Sequence, residues 1–167
     1  MGNYIGIPIL ILAAILNATV MPELRVGGGA PDLVFLLVVS WALLADVRGA
    51  LAWAFAGGVL QDWFSIAPLG TSSLGLVTVA FVADSLFGQV HRSNLLIPPL
   101  VAAGGTVIYH LGVLTVLWMT DMRIAPGQGL LYVTLPTLIY NVIFIVPIFR
   151  ALGVVHHWLH PHRARVE

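Results

Sequence analysis

The chain contains no cysteine and no lysine. Without cysteine there is no disulfide, no thiolate metal site and no thiol nucleophile, and the redox state of its compartment leaves no mark on the sequence. Without lysine, seven arginines carry all the fixed positive charge and are balanced by seven Asp and Glu residues. No basic field for nucleic acid and no acidic solvating tail is present. Charged residues make up only 8% of the 167, against 59% hydrophobic. With a mean hydropathy of +1.00, this composition excludes an ordinary soluble domain and identifies an integral membrane protein.

Long apolar runs are abundant. A helix needs about 20 apolar residues to cross the hydrocarbon core, and six runs approach that length, at about 4–21, 31–45, 49–64, 71–90, 97–119 and 130–149. The expected fold is all-α, a single polytopic domain of six transmembrane helices over 1–167 with a short amphipathic basic tail at 151–167. The first run has no basic leader and no small-x-small cleavage site and is read as a retained span. Residues 31 to 64 in one helix would be about 50 Å long at ~1.5 Å per residue, too long for a bilayer, so a tight reversal is expected at Asp46-Val47-Arg48-Gly49. Pro31, Pro98 and Pro99 suit first helical turns, Gly27-Gly28-Gly29 and Pro126-Gly127 belong to loops, and Pro8, Pro136 and Pro147 fall inside spans.

The arginines set the orientation, because short cytoplasmic loops are enriched in basic residues. Six spans with a cytoplasmic N-terminus put Arg48, Arg92, Arg150, Arg163 and Arg165 inside and Arg25 and Arg123 outside. Both termini are then cytoplasmic. Asp32 and Asp62 lie near the outer surface, and Asp84 near the inner end of the fourth span.

Ionisable groups inside a membrane tend to face the bundle interior, a wet cavity or a partner. In "GGVLQDWFSIAPLG", Asp62 reads either as a contact or pocket residue beneath the loop 65–70 or as a helix-end carboxylate bonded to interfacial water or nearby backbone. Trp63 fits the headgroup level. Asp32 follows Pro31 at a helix start, where a carboxylate caps free N–H groups and complements the helix dipole. Asp84 can pair with the His91-Arg92 loop or make a polar contact in the bundle. Tyr109 and His110 in the fifth span and Asn141 in the sixth are candidate intramembrane polar contacts, suited to hydrogen bonds between helices, with a proton relay or substrate contact as the sharper option. These groups are expected to be scattered along the membrane depth. The third span carries small residues at spacings of three and four, Gly57 and Gly58 among them, and is expected to be central, packed within the chain or against a partner.

In the tail, His156 and His160 stand four apart, a spacing compatible with metal, but a short amphipathic turn on the cytoplasmic membrane surface explains the same residues. Ser72 and Ser73 lie in "GTSSLG" without a G-x-S-x-G, and neither H-E-x-x-H nor a phosphate-binding glycine loop occurs. No catalytic residue, metal ligand or cofactor site is expected.

The order of "PDLVFLLVVSWAL", an Ala/Gly-rich third span and "GGVLQDWFSIAPLG" resembles the MreD family of bacterial rod-shape-determining membrane proteins, from Pro31 through the sixth span. The resemblance implies a non-enzymatic scaffold or regulator of the cell-elongation complex in the bacterial cytoplasmic membrane. It implies an MreC-like bitopic partner and, indirectly, MreB filaments, a SEDS glycosyltransferase and a class B penicillin-binding transpeptidase. It also implies a fold similar to the six-helix S subunits of energy-coupling-factor transporters, and hence an alternative function as the substrate-binding subunit of a vitamin transporter. Arg25, Asp32, Asp62, Gly57 and Gly58 are the candidate partner or pocket contacts.

Overall fold

The computed structural model describes residues 3–65, 67–87, 96–120 and 126–159, with side chains over 6–65, 67–87, 96–120 and 132–158. The apolar runs form six helices: α1 (Asn3–Thr19), α2 (Leu33–Leu44), α3 (Val47–Trp63), α4 (Thr71–Phe87), α5 (Ile97–Met119) and α6 (Pro126–Leu159). A short 3-10 helix, Met21–Leu24, follows α1. No strand occurs among the described residues, and one isolated bridge joins Val26 to Gly29. Two segments are long and apolar enough to cross a membrane, Ile97–Met119 and Tyr132–Trp158 within α6. Gly6–Thr19, Leu33–Leu44 and Thr71–Phe87 are shorter apolar helices.

The boundaries differ from the sequence reading where polar residues join helices instead of ending them. Only Ala45 and Asp46 separate α2 from α3, so Arg48 and Gly49 belong to the first turn of α3. The predicted surface tail at 151–159 continues α6 without a break. Trp41 stacks on Trp53 with ring centroids 4.3 Å apart, and His156 meets Trp41 edge-on at 5.4 Å. These ring contacts bring the end of α6 against α2. His160, Arg163 and Arg165 lie outside the described residues, as do Arg92 and Arg123.

The central helix is α2, not the small-residue α3. Nine of its twelve residues are buried, as expected for a helix that is apolar nearly all round, and among the described residues it alone touches each of the other five helices. Around it the neighbours run in the order α1, α3, α4, α5, α6, with no contact between α1 and α6 among the described residues. The small residues of α3 serve this internal packing. Gly57 faces Val34 and Val38 of α2 and Leu10 of α1, and Gly58 lies against the Ser73 backbone of α4.

At twelve residues, about 18 Å, α2 is also the shortest helix, and its start lies well inside the ring of its neighbours. The chain reaches that depth through the triglycine loop. Val26 and Gly29 exchange two backbone hydrogen bonds, 3.1 and 3.2 Å, around Gly27 and Gly28 at φ +59° and +89°, a two-residue hairpin that L side chains adopt at a cost. The loop sits on α6 at Pro136, whose missing N–H leaves the Tyr132 carbonyl without its helical donor. A Cβ on Gly28 would stand 2.9 Å from that carbonyl oxygen. Gly28→Ala is therefore expected to lower stability by about 1–2 kcal/mol through positive φ and crowding together. A thermal melt of the detergent-purified variant checks this, with a melt unchanged from the parent as the opposing result.

Candidate functional site

A helix start inside a bundle needs partners for its free N–H groups, and α2 draws them from its own cap and from two other helices. Asp32 is its N-cap, accepting at Oδ1 from the Phe35 N–H at 3.0 Å. Asn17 of α1 accepts the Leu33 N–H at 2.8 Å and donates to Asp32 Oδ1 at 2.7 Å. Gln61 of α3 donates to Asp32 Oδ2 at 2.8 Å. On the far side, the Asp32 N–H donates to Asn141 Oδ1 of α6 at 3.1 Å, and Asn141 Nδ2 donates to Thr106 Oγ1 of α5 at 3.0 Å. Asn141 is 1% exposed and Thr106 0%, so the amide joins α2, α5 and α6 where no water competes.

Because α2 stops short, an open cavity of about 580 Å³ lies above its first turn, lined by the other five helices and the loop before α2. Asp32, Tyr109, His110 and Thr134 line its polar part, and Val113, Leu114, Leu117 and Val133 its apolar wall. Exposed Arg25 lines it as well. His110 lies nine residues, about 14 Å along the axis, from the last residue of α5. The expected scatter is corrected only in part, because Asp62 does not share this space. Asp32, Tyr109 and His110 converge on one space, and Asn141 stands directly behind it, because a short α2 brings a helix-start residue to the level of mid-helix residues in α5 and α6.

Asp62 sits elsewhere and does different work. It is 2% exposed and does not line the cavity. Its Oδ2 accepts the Gly70 N–H at 2.7 Å, and both oxygens accept the Ser72 N–H at 3.0 and 3.2 Å. The carboxylate at the end of α3 thereby supplies acceptors for the first turn of α4 and closes the loop between them. Gly70 has φ +98°, and Thr71 Oγ1 donates to the Pro68 carbonyl at 2.7 Å, completing the turn. Ser72 then accepts from the Tyr109 hydroxyl at 3.1 Å, which links this turn to the cavity wall. Trp63 beside Asp62 is 74% exposed, on the outward side of the same helix end.

His110 Nδ1 is 2.8 Å from Thr134 Oγ1, a contact between α5 and α6. Asp84 is half-buried on α4, and its expected pairing with His91 and Arg92 falls outside the described residues. Gly57 and Gly58 face neighbouring helices inside the chain and present no surface to the cavity. The sequence reading missed Asn17, Thr106 and Thr134. Asn17 was the findable one, a single amide in an otherwise apolar run, whereas threonines in apolar helices often bond only to their own backbone, as Thr78 and Thr115 do here.

Among the side chains described at the cavity, no acid, base and nucleophile are joined as a reacting set. Asp32 and Asp62 bind helix ends, and the Tyr109 and His110 contacts tie helices together. The arrangement can hold a bundle open around a polar space. The sequence matches the family model described as rod shape-determining protein MreD over residues 2–153. No curated protein and no solved structure matches it. The chain belongs to the MreD family and is a rod-shape-determining membrane protein.

Proposed function

We propose that the protein is a non-enzymatic scaffold of the cell-elongation complex, with a chain that crosses the membrane six times, once through the short α2 together with the loop before it, both termini cytoplasmic and the cavity end facing outward. It holds an MreC-like bitopic partner and, through it, the MreB filaments, the SEDS glycosyltransferase and the class B penicillin-binding transpeptidase that build the wall. The observation that supports a scaffold is the use made of two carboxylates, Asp62 buried and Asp32 half-buried. Asp32 and Asp62 accept hydrogen bonds from groups that fix helix starts, so both carboxylates are held in place as part of the shape of one end of the bundle. In the proposed membrane, the 17-residue helices α1, α3 and α4 are near the lower limit for a span, and α2 is shielded from lipid by its neighbours.

Mild-detergent capture of the tagged protein tests this proposal. It is expected to recover a bitopic protein with an extracytoplasmic domain, and recovery instead of paired ATPases with a second membrane subunit would overturn it. Because the natural chain has no cysteine, orientation is also measurable with single introduced cysteines. Cysteine at Leu69, 72% exposed, is expected to react with an impermeant maleimide from outside the cell, and cysteine at Arg48 only after permeabilisation. The reverse pattern would invert the orientation.

The cavity favours a second reading, a small-ligand subunit similar to the S subunits of energy-coupling-factor transporters. About 580 Å³ falls within the roughly 300–1,000 Å³ of ligand sites, and several polar groups converge there. Thermal stabilisation by vitamins is the outcome that this reading predicts and the scaffold does not.

A further inference from the structure

We propose that the cavity above α2 binds a small molecule bearing an ammonium group on an apolar body, with Asp32 as its counter-charge. The proposal rests on the ligand-pocket reading and names the class of ligand; it does not require transport.

The hydrogen bonds at Asp32 leave one direction open. A carboxylate has about four acceptor positions, two on each oxygen. Oδ1 receives the Asn17 amide and the Phe35 N–H, while Oδ2 receives the Gln61 amide. A position on Oδ2 remains, on a residue that lines the cavity. Among the described residues all three donors are uncharged, so these hydrogen bonds hold the carboxylate in place without neutralising it. A charge at this depth in a membrane protein favours an ionic partner, and an N–H of an ammonium supplies both the hydrogen bond and the opposite charge. The rest of the space suits an apolar body, because Val113, Leu114, Leu117 and Val133 form one wall. Arg25, exposed on the cavity lining, opposes positive charge away from Asp32 and can attract a ligand carboxylate, which favours a zwitterion or a monoamine over a diamine.

The test uses the full chain in lipid nanodiscs, with n-hexylammonium and 1-hexanol as probes of matched length. The ammonium is expected to raise the thermal midpoint saturably, and the alcohol to require about tenfold or more higher concentration for the same shift, because a hydrogen bond to a charged pair is replaced by a weaker one. Asp32→Asn keeps an N-cap side chain and is expected to remove the preference for the ammonium. Val113→Trp fills the apolar wall without touching the Asp32 hydrogen bonds and is expected to abolish the response to both probes, so the test stands even if Asp32→Asn fails to fold. Equal responses to ammonium and alcohol, both lost in Val113→Trp, would leave a pocket but overturn the ammonium class. No saturable response to either probe, or responses unaffected by Val113→Trp, would overturn the pocket as well.

Discussion

Replacing Gly58 with alanine is expected to force α3 and α4 apart and to cost about 3 kcal/mol or more, at the upper end of overpacking effects. A Cβ there would lie 2.3 Å from Ser73 Cα and 2.4 Å from Ser73 N. Both are backbone atoms, which cannot turn aside as a side chain can. Two other glycine substitutions calibrate the result. Gly57→Ala meets Val34 Cγ1 at 3.0 Å, a side-chain contact with some room to adjust, and should cost less. Gly104→Ala meets nothing within 4 Å and removes a helix-interior glycine, so it should be neutral or stabilising by up to about 1 kcal/mol. Thermal melts of the three variants in one detergent give the order directly; equal midpoints for Gly58→Ala and Gly104→Ala would refute the close approach of α3 and α4.

Asp62→Asn is the second large effect, with an expected loss of about 2–3 kcal/mol. The amide retains one acceptor oxygen but turns an NH2 group toward a cluster of backbone N–H donors at Gly70 and Ser72. A donor then faces a donor in a site that is 2% exposed. Removing the charge also removes its favourable interaction with the positive end of α4. The expected signature is a lower melting midpoint and less protein in the membrane, with partner capture falling only in proportion to the protein present. Capture that falls while protein level and midpoint stay normal would make Asp62 a direct contact instead.

The helical class, most helix positions and the family were legible in sequence because they follow from apolar run length, Pro/Gly punctuation and the order of short motifs. The site was legible only in pieces. Asp32 reads correctly as a helix cap, yet its depth depends on where a twelve-residue helix sits among longer ones, which no local pattern encodes. Tyr109, His110 and Asn141 looked scattered for the same reason. The small residues of α3 signalled close packing without saying that Gly58 meets backbone whereas Gly57 meets side chains. The almost wholly apolar Leu33–Leu44 carried the signal for a central helix, but the small residues of the next span pointed to that span instead.

The central claim is that this chain shapes the cell by organising other proteins rather than by supplying a transported nutrient. The most direct measurement is cell width and length after depletion of the protein in the bacterium that carries it, with vitamin uptake followed in the same cultures. Loss of rod shape with uptake unchanged is the predicted result, and rods of normal dimensions with uptake lost would contradict the account.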